Sequence, residues 1–365
     1  MKRVLALLLC LMTVFALASC GNSNSDPGTA NSPNASAPAD GGNASTDVEP
    51  VKISIATPTA DGNPMQDLVY YFEEKVDEIL PGRVEWVNYP NSTMGSEREI
   101  GEQVMDGTLD AALVGPSNII SFAPMNAVRL QDVPFLFQDQ DELYAATDEW
   151  YRDMINAECE PYGFTTIFYE YIIGQEIENT KRPIYTPEDV KDLKIRVYDS
   201  IGPYKFLEAC GGLPTAMNFS EVYTGISQGA IDGLYTTTSN FVPQKFAEVC
   251  KYHTKLTITN LGMTLMFNLD KLNSLPADLQ DAIYEAAALT EAYCRDELGP
   301  QTRENVYAEI EAAGVEINEV SEEQYQVFVD LIEDYCYDEL REEIGPEMWD
   351  QCVTWLEEYR AGQAS

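Results

Sequence analysis

The chain has one histidine, His253, in 365 residues, and 22 lysines and arginines against 61 aspartates and glutamates. A lone histidine, with no serine or cysteine in a nucleophile motif, gives little footing for acid–base or covalent catalysis. No H-E-x-x-H pair, C-x-x-C spacing or glycine-rich phosphate loop occurs, which argues against a zinc site and against a phosphate cradle. The formal charge of −39 and a pI near 4.1 argue against nucleic acid or an anionic membrane surface as a direct partner. Carboxylates are so numerous that picking two as an acid and a base would be arbitrary, and a glycosidase would need two at a defined separation. No cofactor and no metal site is read from this pattern.

Long apolar runs are also missing, with one exception at the start. Met1-Lys2-Arg3 followed by VLALLLCLMTVFALAS has the basic end and short apolar core of a secretory signal. A full transmembrane helix is the alternative, but the run sits at the short edge of the ~20 residues that a span needs. It ends in Leu17-Ala18-Ser19-Cys20-Gly21, which resembles a bacterial lipobox with Cys20 as the lipidated residue. From residue 20 to about Pro50 the chain is mostly small and polar and reads as a flexible tether. The expectation is an exported protein, extracytoplasmic and held to the membrane through Cys20. Cys10 leaves with the signal, so six thiols remain: Cys159, Cys210, Cys250, Cys294, Cys336 and Cys352. Export permits disulfides. Cys336 with Cys352 is the favoured pair, and isolated buried thiols fit equally well.

Hydrophobic residues make up 45% of the chain, enough for real cores, and the length suits two domains. Strand-like runs at Val51–Ala56, Val84–Tyr89 and Leu109–Val114 alternate with helical spacing at Met65–Leu80 and Gly95–Met105. That order predicts an α/β fold with a mostly parallel sheet, whose ligands sit beyond the carboxyl ends of the strands. The loops after Ala56, after Tyr89 and around Gly115-Pro116-Ser117 are then the ones to watch. Further on, Glu142–Tyr162 reads as helix, Thr165–Tyr171 as strand, and a helix is expected from Pro243 through Cys250. Lys255–Thr259 and Thr264–Asp270 are strand-like, and Pro276–Leu298 is a long helix. Ser321-Glu322-Glu323-Gln324 is a capping-box start, and Trp349–Tyr359 closes the chain.

The stretch from Glu188 to Pro243 carries the most information. Arg196 lies between Ile195 and Val197 in a short apolar strand. A guanidinium there needs an anion, because an unpaired buried charge is costly. Its fork suits a carboxylate, either a ligand's or one of the chain's own. Lys194–Val197, Pro214–Tyr223 and Gln228–Gly233 occur in this order, and together they resemble the signature of the solute-binding proteins of TRAP transporters, the DctP-like family.

The resemblance implies a two-lobed periplasmic-binding-protein-like fold with a ligand cleft between lobes and a long helix spanning both. Lobe I would hold residues 51–172 and about 262–300, and lobe II 173–261 and about 301–360. It implies capture of a small organic acid for a membrane permease; a sensor lipoprotein of the same fold is the alternative. Arg196 matches the family's carboxylate-binding arginine, and Phe219 an aromatic lining the pocket. Tyr235 and Thr236 fall where a polar or aromatic contact is placed. Tyr169 and Glu97 are further candidates. A second arginine common in relatives is missing, since Gly174-Gln175-Glu176-Ile177-Glu178 holds no cation. The expected ligand is therefore a monocarboxylate with a neutral or cationic remainder, with Glu176 either facing an amine or turned to solvent.

Overall fold

A computed structural model describes residues 49–363. The signal-like segment, Cys20 and nearly all of the tether lie outside them. The chain opens with β1 (Val51–Ala56), α1 (Pro64–Ile79), β2 (Val84–Tyr89), α2 (Glu97–Asp106) and β3 (Ala111–Val114). Alternation in β1 buries Ile53 and Ile55 completely. Helix α1 is capped by Asn63, whose side chain accepts from the Met65 amide, with Pro64 in the first turn. Its buried Leu68, Val69, Phe72 and Val76 form one stripe. Helix α2 starts in a capping box between Ser96 and Glu99 and ends at Gly107, whose φ of 79° favours glycine.

The segment 140–162 is helical but not uniform: two α-helical pieces flank a π turn at Thr147–Tyr151. There follow β4 (Phe164–Glu170), β5 (Gln175–Asn179), β6 (Lys194–Val197), β7 (Leu213–Ala216), β8 (Gly233–Thr237), β9 (Tyr252–Thr259), β10 (Met263–Asn268) and β11 (Glu316–Glu319). The strands form two sheets, ordered β2-β1-β3-β10-β4 and β11-β9-β5-β8-β6-β7, so the architecture is α/β and two-lobed.

The chain passes between sheets from β4 to β5 and back from β9 to β10. These two crossings touch. A Cβ on Gly262 would lie 1.7 Å from the Glu170 carbonyl oxygen, and one on Gly174 would lie 2.3 Å from Thr257 Cγ2. Only glycine lets the crossings approach so closely. A third link is helical: Ala277–Tyr293 packs beside α1 and β4, and Gly299–Ala312 reaches β11. The expected stop at Leu298 is not observed. A π turn at Cys294–Leu298 carries the helix past Gly299-Pro300, placing Pro300 in the first turn of the following segment, where a missing N–H is tolerated. The helix expected from Pro243 to Cys250 reduces to a short turn at Phe246–Glu248, because Lys245 adopts a φ of +64°. Among the described residues no helix is long and apolar enough to cross a membrane.

Beneath the second sheet lies a buried charged cluster. The His253 ring is 2.8 Å from Glu176 through Nε2 and 3.2 Å from Glu178 through Nδ1, the latter out of hydrogen-bond alignment. Glu176 also accepts from Tyr307 (3.0 Å) and Thr238 (2.9 Å). Burial pulls the His253 pKa down, but the Glu176 bond and the charges of both glutamates outweigh it and raise it to about 9. Burial is the larger effect at Glu178 and raises it to about 7, against the opposing pull of His253.

Two predictions follow from this packing. Both groups have raised folded pKa values, so each contributes stability at low pH and loses it as pH rises: Glu178 through about 7 and His253 through about 9. The thermal midpoint should fall between pH 6 and 9.5. His253→Gln should lower it most at pH 6, with the gap to the parent narrowing by pH 9.5; a constant gap would disprove the linkage. The six described cysteines, Cys336 and Cys352 included, are free and buried, and burial pushes all six thiols up. Ellman's reagent should therefore find these six silent in the native protein and all reactive after unfolding without reductant. A shortfall on unfolding would reveal a disulfide.

Candidate ligand site between the lobes

Arg196 stands on β6, flanked by β7 and β8, and is 5% exposed. Its Nε donates to the Met217 carbonyl at 3.0 Å, and its guanidinium carbon lies 5.5 Å from the centre of the Phe219 ring. Among the described residues no carboxylate comes within 4.0 Å of it, and neither Nη has a protein hydrogen-bond partner. Burial lowers its pKa to about 10, with Glu97 and Tyr198 pulling the other way. It stays a cation at any ordinary pH.

Arg196 and Phe219 border a small cavity of about 50 Å³, which also meets Glu97, Gln175, Thr236 and Asn240. Thr59, Met65, Leu261 and Met263 contribute to its other walls. A wider space of about 330 Å³ shares Arg196, Glu97, Tyr198 and Phe219 with it and adds Arg98 and Asp199. The walls come from both sheets. Glu97 opens α2 on the first; its Oε2 accepts from the Gly115 amide and Asn118 Nδ2, both at 2.8 Å. Burial raises its pKa, and the Gly115 bond, the charge of Arg196 and the Asn118 bond oppose that rise. No protein donor reaches its Oε1 among the described residues. The Thr59 hydroxyl is likewise buried without a partner. Across the cleft, Asn63 at the start of α1 donates to Asn240 at 2.8 Å.

Behind the cavity the polar groups are mutually satisfied. The Tyr198 hydroxyl donates to Asp132 at 2.7 Å and lies 3.2 Å from Gln175 Oε1. Tyr235 and Thr259 share a hydrogen bond of 2.5 Å, and the Thr259 hydroxyl reaches Gln175 at 3.4 Å.

Four of the residues singled out from sequence border the cavity: Arg196, Phe219, Thr236 and Glu97. Three do not. Glu176 is turned away from the cleft onto His253, so it faces neither a ligand amine nor solvent. Its neighbour Gln175 borders the cavity instead, because adjacent strand residues point to opposite faces. Tyr235 is fully buried in the layer behind Tyr198, their rings 6.1 Å apart. Tyr169 is fully buried, bonded to Thr166 at 2.8 Å and covered by the Arg152 guanidinium at 5.1 Å. Sequence reasoning overlooked Tyr198, Asn118 and Asn240. Tyr198 was within reach, lying two residues beyond Arg196; Asn118 follows the Gly115 loop already singled out.

Residues 55–342 match the family described as bacterial extracellular solute-binding protein, family 7, DctP. The C4-dicarboxylate-binding periplasmic protein DctP of Rhodobacter capsulatus is 27% identical over 301 residues, 82% of this chain and 89% of the relative. The 2,3-diketo-L-gulonate-binding periplasmic protein YiaO of Escherichia coli K12 is 28% identical over 246 residues, 67% of this chain and 74% of the relative. A TRAP periplasmic solute binding protein from Sulfurospirillum deleyianum, solved with bound succinate, superposes with a TM-score of 0.77 at 25% identity, covering 84% of this chain and 99% of that one. The matched span contains both walls of the cavity. The chain belongs to the DctP family of bacterial extracellular solute-binding proteins and is a TRAP-type solute-binding protein.

Proposed function

We propose that the protein captures a small monocarboxylate outside the cytoplasm, in the cleft between its lobes, and delivers it to the permease of a TRAP-type transporter. Lipid on Cys20 would hold it at the membrane, a reading that rests on the lipobox-like Leu17–Gly21 sequence. The observation that carries the ligand class is Arg196, a buried guanidinium whose two Nη groups have no protein partner and which borders the cavity. A carboxylate accepting both would satisfy the fork and neutralise the charge. The relatives named for C4-dicarboxylates and 2,3-diketo-L-gulonate, and the structure with succinate, share a carboxylate in their ligands. In this chain, however, the inner cavity presents one cation only, and its other charged group is the Glu97 carboxylate. A second ligand carboxylate would find no cation there and would be repelled.

Calorimetric titration with organic, amino and sugar acids tests the assignment. Arg196→Ala should weaken capture by about 2–5 kcal/mol, roughly 30-fold to several thousand-fold. Arg196→Lys should recover little of this, because an ammonium lacks the planar fork. The unliganded Arg196→Ala protein should melt no lower than the parent, since an uncompensated buried charge has been removed. Undiminished capture by Arg196→Ala would overturn the carboxylate reading. Submicromolar binding of succinate would overturn the restriction to monocarboxylates.

A further inference from the structure

Resting on the carboxylate reading above, we propose that the captured solute is a zwitterion, its carboxylate on Arg196 and an ammonium group on Glu97. The two residues border both cavities, yet no nitrogen of Arg196 comes within 4.0 Å of a carboxylate oxygen among the described residues. Each keeps hydrogen-bonding capacity unused. Arg196 has two Nη groups without protein partners, and Glu97 has Oε1 free while Gly115 and Asn118 hold Oε2. A buried guanidinium and a half-buried carboxylate that border one cavity, but are not joined, are complementary to a molecule carrying both charges.

Charge balance then separates an amine from a hydroxyl as the group facing Glu97. Arg196, Glu97 and a zwitterion sum to zero. A hydroxy acid would leave one uncompensated negative charge in the closed cavity, and a dicarboxylate would leave two, each strongly penalised by burial. The protein's exterior acts in the same direction. At a formal charge of −39 it opposes the approach of an anion, whereas a net-neutral solute meets no such long-range barrier.

The placement of the pair adds a mechanical consequence. Glu97 is on the wall built from the first sheet and Arg196 on the wall built from the second. A zwitterion engaging both draws the two lobes together, and a ligand engaging one wall alone does not. The remaining lining, Met65, Leu261, Met263 and Phe219, suits a short apolar skeleton between the two charges.

The test uses the purified protein and a panel of three- to six-carbon amino acids with the amine at each position. Each is matched to the hydroxy acid and the dicarboxylate of the same chain length. Titration at pH 7 should find an amino acid bound at least tenfold more tightly than both of its matched partners. Repeating it in buffers of different ionisation enthalpy should show no net proton uptake. Glu97→Gln should erase the preference for the amine, with the thermal midpoint of the unliganded protein showing that the variant folds. A tightest binder that is a hydroxy acid or dicarboxylate, proton uptake on binding, or an unchanged preference in Glu97→Gln would each overturn the zwitterion while leaving Arg196 as the carboxylate anchor. Binding that is indifferent to Arg196→Ala would instead sink the underlying carboxylate reading.

Discussion

The structure turns on a guanidinium that the fold buries but does not neutralise. Strand β6 fixes the Arg196 backbone between two neighbours, the Met217 carbonyl takes Nε, and Phe219 covers one side of the cation. These contacts hold the group rigidly and leave the outer edge of its fork unused. Burying a charge in this way costs free energy unless a counter-ion arrives. On the proposed carboxylate reading, an incoming anion offsets that cost, and the offset contributes to affinity for solute.

His253 offers a contrast to the unpaired fork of Arg196. Beneath the second sheet, the His253 imidazole is bracketed by Glu176 and Glu178, and Glu176 is in turn bonded by Tyr307 and Thr238. There the chain supplies its own carboxyl partners. The cluster ties β5 and β9 to the helix that links the lobes, and Arg303 on that helix donates to the Ile172 carbonyl in the first crossing at 2.6 Å. The His253 cluster fastens the frame, while the Arg196 fork is left without a protein carboxylate among the described residues.

Much of the frame was legible in the sequence because it follows from periodicity and capping. The apolar alternation of β1, the stripe of α1 and the capping box at Ser321 are local signals, and the elements they mark stand close to where those signals fall. What escaped was set by tertiary context. Strand β5 reads Gln-Glu-Ile-Glu-Asn and looks like a polar loop until His253 is placed against its inner face. Strand β7 contains Pro214, and β11 is short and acidic; each stands at a sheet edge, where such residues are tolerated. The site divides in the same way. Arg196 and Phe219 could be found because their motif is specific. The choice between Gln175 and Glu176 depends on which face of β5 meets the cleft, and a one-residue change of phase exchanges them.

The three links between lobes bear on how capture and closure are coupled. The two strand crossings touch through Gly174 and Gly262, and the helix running from 277 to 312 passes the same region through a π turn. Links gathered this tightly favour motion of each sheet with its helices as a body over independent movement of the cavity walls. A solute shifts such an equilibrium only by as much as it prefers the closed form to the open one. Contacts to a single wall contribute equally to both forms. The preference must therefore come from groups on opposite walls, and in the inner cavity the charged groups so placed are Arg196 on one side and Glu97 on the other. Under the zwitterion proposal, selectivity and closure therefore depend on the same pair: a molecule that satisfies one of them is held, and a molecule that satisfies both is held and enclosed.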